Sequence, residues 1–144
     1  MTVYLCALLP VPGLSFDAQH ADLSTDFEPS ETPVAHPDGS ASWPERGAIE
    51  SFFQDCDPEI ALAAALRLRK QHWLITQEVT PLRRWPDAPA AYILCTDDRV
   101  IPPSYSRRAA LDQLGVVPVE MAGGHSPFLS RPRELATLLE RLVE

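Results

Sequence analysis

Two segments in the last third of the chain constrain its fold more than any others: Tyr92-Ile-Leu-Cys-Thr-Asp-Asp98 and Met121-Ala-Gly-Gly-His125. Each reads as the end of a short buried strand, followed by a loop that carries ionisable residues. A continuous apolar run such as Ala90 to Cys95 suits a strand covered on both faces, as in a parallel sheet, better than one with a solvated side. Between the two segments, Pro102-Pro103 opens a helix over 103–114, and Gly115 stops it. Val116 to Met121 is a further strand, and Pro118 within it places that strand at a sheet edge, where a missing N–H costs least. Ser130 then caps a final helix over 131–143, with Pro132 in its first turn. Leu135, Leu138, Leu139 and Leu142 form the core-facing stripe of that helix. Strand, helix, strand, helix with short connections is a right-handed parallel α/β unit.

A third strand is expected at the start. Val3 to Leu9 is continuously apolar and is ended by Pro10 and Pro12-Gly13. Because it begins almost at Met1, one of its sides would lack a partner. Residues 15–46 are acidic and rich in Pro, Ser and Asp, with Asp38-Gly39 placed to turn a small hairpin between Val34–His36 and Ser40–Trp43. The pattern becomes helical from Glu45 to Phe53. Asp57 as N-cap and Pro58 at the first helical position then start a helix through 59–70, whose Arg67, Arg69 and Lys70 suit the negative end of the helix dipole. Residues 71–89 are mixed, with Trp73 and Trp85 among prolines. The expected organisation is therefore one α/β core made of residues 1–14 and 89–144, with three largely parallel strands (3–9, 90–95 and 116–121), interrupted by a mostly helical insertion over 15–88.

Composition narrows the function classes. A chain of 144 residues with 45% apolar content can bury a core as a single domain. Its net charge of −8 argues against a nucleic-acid partner, which needs a basic patch. Cys6, Cys56 and Cys95 have no metal-ligand spacing, and free thiols in a reducing cytoplasm are the simplest account of them. The apolar start lacks a basic leader and is too short to span a bilayer, so neither a signal peptide nor a membrane helix is expected.

Ligands of open parallel sheets bind beyond the carboxyl ends of the strands. Asp97-Asp98 and Gly123-Gly124-His125 both sit at such ends. A carboxylate that accepts the imidazole Nδ1–H fixes the tautomer and leaves Nε2 as a base. The two glycines permit backbone angles that bring the imidazole back over the strand ends. Plainer roles compete with these: Asp98 as an acceptor for nearby amides, His125 as a satisfied structural histidine, and Cys95 as a small buried hydrophobe. His20 and His36 lie in polar loops and His72 follows a helix. Ser15, Ser126 and Ser130 are weak candidates for a nucleophile. Trp43, Phe52, Phe53, Trp73 and Trp85 are suited either to lining an apolar pocket or to forming the insertion's own core.

Tyr92 to Pro103 (YILCTDDRVIPP) and Ala122 to Leu135 (AGGHSPFLSRPREL) resemble the acid and histidine segments of the α/β-hydrolase superfamily. The branch that looks nearest is that of the small esterases related to plant methyl-ester hydrolases and hydroxynitrile lyases. Val3 to Phe16 (VYLCALLPVPGLSF) is similar to that family's sixth strand and following loop, and Phe52-Phe-Gln-Asp-Cys-Asp-Pro58 with the next helix to part of its cap. The resemblance implies that Asp98 is the triad acid, His125 the catalytic histidine, and Asp97 an acidic position without a catalytic role. Ser126 stands where the lyases carry a lysine, which leans towards ester hydrolysis without metal or organic cofactor. In this fold the serine precedes the acid on a G-x-S-x-G elbow. No G-x-S-x-G occurs in the sequence. The resemblance thus places the first strands, the elbow serine and the oxyanion-hole donors before Met1. The chain is expected to act on a small ester only if completed by that half, and to self-associate or to pair with a complementing polypeptide that supplies the missing strands. The other expectation is a non-catalytic relic or interaction module that pairs through its exposed strand edge.

Overall fold

A computed structural model of the chain describes residues 1–20 and 27–143. Its first elements are strand β1 (Thr2–Leu5), helix α1 (Phe16–His20), strands β2 (Val34–Ala35) and β3 (Ser40–Ser42), and helices α2 (Glu45–Phe52) and α3 (Pro58–Ala65). Strand β4 (Gln71–His72), a 3-10 turn (Trp73–Gln77), strand β5 (Ala90–Cys95), helix α4 (Pro103–Leu114), strand β6 (Val119–Met121) and helices α5 (Pro127–Ser130) and α6 (Pro132–Val143) complete it. The side chain of His20 and residues 21–26 of the acidic stretch lie outside the described residues.

The sheet that matters for the site is parallel, in the order β1-β5-β6. Thr2 to Leu5 pair with Ala90 to Ile93, and Ile93 to Cys95 pair with Val119 to Met121. β5 is central, and its side chains alternate between two buried layers. Tyr92 and Leu94 pack with Leu9 and with Ile101, Tyr105, Ala109 and Ala110 on the α4 side. Ile93 and Cys95 pack with Cys6, Met121 and Leu135, against which Leu138, Leu139 and Leu142 of α6 close. Both faces are covered by helices, which is why β5 reads as unbroken apolar sequence. The leucine stripe of the last helix is where the periodicity placed it. β6 lies at the sheet edge among the described residues, as Pro118 required.

β1 is shorter than the expected strand 3–9. Cys6 takes a φ of 44°, the single positive value among the described non-glycine residues, and turns the chain out of the sheet. Tyr92 holds that turn: its hydroxyl donates to the Ala7 carbonyl at 2.6 Å and accepts from the Ala7 amide at 3.0 Å. Burial of this hydroxyl pushes the Tyr92 pKa up to about 12. Leu9 remains buried although it is outside the strand. The apolar run therefore reports partial to full burial along its length and strand pairing only in its first part. β6 is also shorter than 116–121, because pairing begins after Pro118, which has no N–H to offer.

The segment between β1 and β5 contains α1 to α3 and an antiparallel sheet in the order β2-β3-β4. The hairpin at Asp38-Gly39 is present, with Ala35 opposite Ala41, and β4 adds a strand that the pattern of residues 71–89 did not reveal. Asp57 caps α3 by accepting from the Glu59 amide at 3.0 Å. α3 ends at Ala65, so Arg67, Arg69 and Lys70 lie beyond it and are exposed instead of sitting in its last turn. Ser130 does not cap the last helix; it ends α5, and the Arg131 carbonyl accepts from the Leu135 amide at 3.0 Å. α2 and α3 share a small core of Ala48, Phe53, Ala61 and Ala65 with Trp43, Phe52 and Leu129 against it.

Candidate active site

Asp98 and His125 meet at the carboxyl end of the parallel sheet, on loops that follow the adjacent strands β5 and β6. His125 Nδ1 lies 3.1 Å from Asp98 Oδ1 and 3.0 Å from Oδ2. The acid side chain is 2% exposed and the imidazole 22%. Asp98 Oδ1 also accepts from the amides of Val100 at 2.8 Å and Ile101 at 3.0 Å. Asp98 therefore closes its loop as an acceptor for nearby amides, and the same amides aim its carboxylate at the imidazole. A carboxylate accepts and does not donate, so Nδ1 carries the shared proton and Nε2 is left as the basic nitrogen.

The two loops are tied together by backbone before any side chain acts. Thr96 N donates to Met121 O at 2.9 Å and Asp97 N to Gly123 O at 3.0 Å. Asp97 faces sideways: its Oδ2 accepts from the Gly123 amide at 3.3 Å and from Thr96 Oγ1 at 3.2 Å. The neighbouring acids thus divide the work, Asp98 meeting the imidazole and Asp97 fastening its loop.

The glycines have a reason that the sequence showed only in part. Gly123 has a φ of 117°, and a Cβ there would stand 2.8 Å from Arg131 Nε and 2.9 Å from Asp55 Oδ2. Gly124 has no positive φ; a Cβ on it would run into the Gln54 amide and stand 2.8 Å from Asp55 Oδ1. Gln54 and Asp55 come from the corner between α2 and α3. Gln54 Nε2 donates to Asp97 O at 2.9 Å, and the Gly124 amide donates to Asp55 Oδ2 at 2.9 Å. The Phe52 ring lies edge-on to the imidazole, with centroids 5.6 Å apart. Sequence reasoning did not place Gln54 or Asp55 at the site. The available signal was Gly123-Gly124 itself, since paired glycines also mark a close approach by another segment.

The weaker candidates separate cleanly. Ser15 Oγ accepts from the Ala18 amide at 3.2 Å and starts α1. Ser126 is buried, and its carbonyl accepts from the amides of Leu129 and Ser130. No serine or cysteine among the described residues hydrogen-bonds to His125. Cys95 is fully buried beside Cys6, and both thiols are free; their mutual contact lowers the pKa of the Cys95 thiol and raises that of the Cys6 thiol, and neither reaches His125. His36 Nε2 is 2.8 Å from Ser42 Oγ, and His72 packs against the Gly39 turn. Of the aromatics, Trp43, Phe52 and Phe53 belong to the α2–α3 core, Trp85 packs against Tyr4 in the main core, and Trp73 is exposed. Among the described residues no cluster of His, Cys, Asp or Glu could hold a metal ion, and no helix is long and apolar enough to cross a membrane.

Known proteins agree with this architecture. A curated relative, the alpha/beta hydrolase nvfD of Aspergillus novofumigatus, is 28% identical over 134 residues, which are 90% of this chain and 51% of that protein. The structure of polyneuridine aldehyde esterase superposes with a TM-score of 0.76 at 20% identity, over 99% of this chain and 61% of its own. A pyrethroid hydrolase from Sphingobium faniae superposes with a TM-score of 0.70 at 22% identity, over 96% of this chain and 58% of its own. The chain therefore spans half to three fifths of these relatives. The pattern of the Alpha/beta hydrolase family matches residues 1–138, and with the parallel sheet already described it shows that this chain belongs to the alpha/beta hydrolase family and carries part of its fold.

Proposed function

We propose that the chain carries the acid and histidine of a serine-type carboxylic-ester hydrolase. Asp98 orients His125, and His125 is general base and then general acid. The observation that supports this reading is the bond of 3.0–3.1 Å between His125 Nδ1 and the buried Asp98 carboxylate, at the ends of adjacent parallel strands. In the working enzyme, Nε2 takes the proton of a serine hydroxyl as that oxygen attacks the ester carbonyl. The buried carboxylate stabilises the imidazolium, which then gives its proton to the leaving alkoxide. Serine and oxyanion-hole donors come from outside these 144 residues. One such donor alone is worth about 10²–10³ in rate, so the chain by itself is inactive.

In this reading residues 1–14 and 89–144 are the C-terminal part of the hydrolase core, and 15–88 is its cap. The substrate class is a small ester, in line with the esterase and pyrethroid hydrolase that share the fold. No metal or organic cofactor takes part. Three free cysteines suit a cytoplasmic setting. The test is an active-serine phosphonate probe and a chromogenic ester, applied to the chain alone and with a polypeptide supplying the elbow half. The chain alone should neither label nor turn over ester. The completed enzyme should do both, and His125→Ala should lower its turnover by about 10⁴ or more. Labelling of the chain alone, or turnover indifferent to His125, would overturn the reading.

The open edge of β1 supports a second reading, a non-catalytic module that pairs through this strand with itself or another chain. Among the described residues β1 pairs with β5 alone.

A further inference from the structure

The corner between α2 and α3 reaches both loops that carry the Asp98–His125 pair. Gln54 Nε2 holds the acid loop through Asp97 O at 2.9 Å, across 43 positions of sequence. Asp55 Oδ2 holds the histidine loop through the Gly124 amide at 2.9 Å, across 69 positions. Two consecutive residues on one turn thus span the gap between the loops. Two further contacts brace them: Arg131 Nε lies 3.9 Å from Asp55 Oδ2, and the Phe52 ring rests against the imidazole. Gly123 and Gly124 are bare where the corner seats, so the fit is built from both sides.

Ordinary packing between an insertion and a core does not account for this contact. Gln54 Oε1 and Asp55 Oδ1 are buried at the corner without a hydrogen-bond partner among the described residues. Apolar side chains would seal the same surface without stranding those atoms. What the polar pair supplies is two directed bonds, each to the backbone of a loop that bears one member of the dyad.

We propose that Gln54 and Asp55 are positioning residues that set the spacing of the acid and histidine loops. The Asp98–His125 pair is assembled when the α2–α3 corner is seated and loosens when the corner lifts. Seating of the α2–α3 corner is thereby coupled to the hydrogen bond that orients the His125 imidazole. The inference rests on Asp98 and His125 being the working pair, and its test reads the geometry of that pair instead of turnover, so either reading can fail alone.

The experiment is nitrogen-15 NMR on the full 144-residue chain, held well below its unfolding temperature. The hydrogen-bonded Nδ1–H of His125 should give a downfield, slowly exchanging resonance. Gln54→Ala and Asp55→Ala should each raise its solvent exchange about three- to tenfold, the size expected for one lost hydrogen bond. Asp55→Asn, which keeps an acceptor for the Gly124 amide, should restore it. Leu135→Ala weakens the α6 layer without touching the corner, and it should leave the resonance unchanged. Folded Gln54→Ala and Asp55→Ala chains with wild-type exchange would overturn the proposal. Equal loss in Leu135→Ala would do so too, because the effect would then be general loosening.

Discussion

Gly123 combines a backbone demand with a spatial one. Its φ of 117° is costly for any residue with a side chain, and the space a Cβ would need is taken by Arg131 Nε and Asp55 Oδ2 at 2.8 and 2.9 Å. Gly115 carries the first demand without the second: its φ is 67°, and nothing lies within 4 Å of where its Cβ would be. Gly115→Ala should therefore cost about 1–2 kcal/mol, the left-handed backbone penalty alone. Gly123→Ala should cost roughly 3–5 kcal/mol, since overpacking against two polar side chains adds to the strain. Urea unfolding of both variants measures the difference. Equal costs would mean that the α2–α3 corner yields without resistance, and would also weaken the case for Gln54 and Asp55 as positioning residues.

At the level of elements, the fold rests on β5 being covered twice. Leu135 is buried against Ile93, Cys95 and Met121, whereas Leu111 of α4 is 58% exposed. Leu135→Ala should cost about 2–5 kcal/mol, and Leu111→Ala less than about 0.5 kcal/mol, by thermal or chemical denaturation. The same contrast explains what could be read from sequence. β5 and the α6 stripe were legible because burial imprints a period on adjacent residues, and the caps because Asp57 offers a short acceptor side chain and Gly115 the left-handed backbone that a missing Cβ permits. The Asp98–His125 pair was legible because both residues end strands that had to be neighbours. The end of β1 was not, because Cys6 to Leu9 stay buried or half-buried after leaving the sheet and hydropathy does not register hydrogen bonding. β4 was not, because two exposed residues, Gln71 and His72, carry no alternation. Gln54 and Asp55 were hidden for a further reason. Their partners are backbone groups 43 and 69 positions away, and such contacts leave no pattern beyond the bare glycines.

For the 144-residue chain as a whole, the side of β1 that faces away from β5 is the proposed contact with a second copy. The amides of Thr2 and Cys6 donate to Pro89 O and Ile93 O, each at 2.9 Å, so they face β5. By alternation along the strand, the amides of Val3 and Leu5 face away from it and have no partner strand among the described residues. A short parallel-sheet edge with Val, Tyr and Leu on it carries none of the charges or prolines that usually blunt an edge. Two copies related by a two-fold axis would meet here antiparallel and continue the sheet through both. The net charge of −8 opposes that approach, so salt should strengthen association by screening it. Sedimentation over a concentration series should show a reversible dimer whose population grows with added salt. Val3→Pro removes an outward N–H that β5 does not use; it should leave the circular dichroism spectrum intact and abolish the dimer. A wild-type chain that stays monomeric throughout would exclude the edge as a contact between copies and leave it to a complementing polypeptide, whereas a Val3→Pro chain that still dimerises would move the contact to another face.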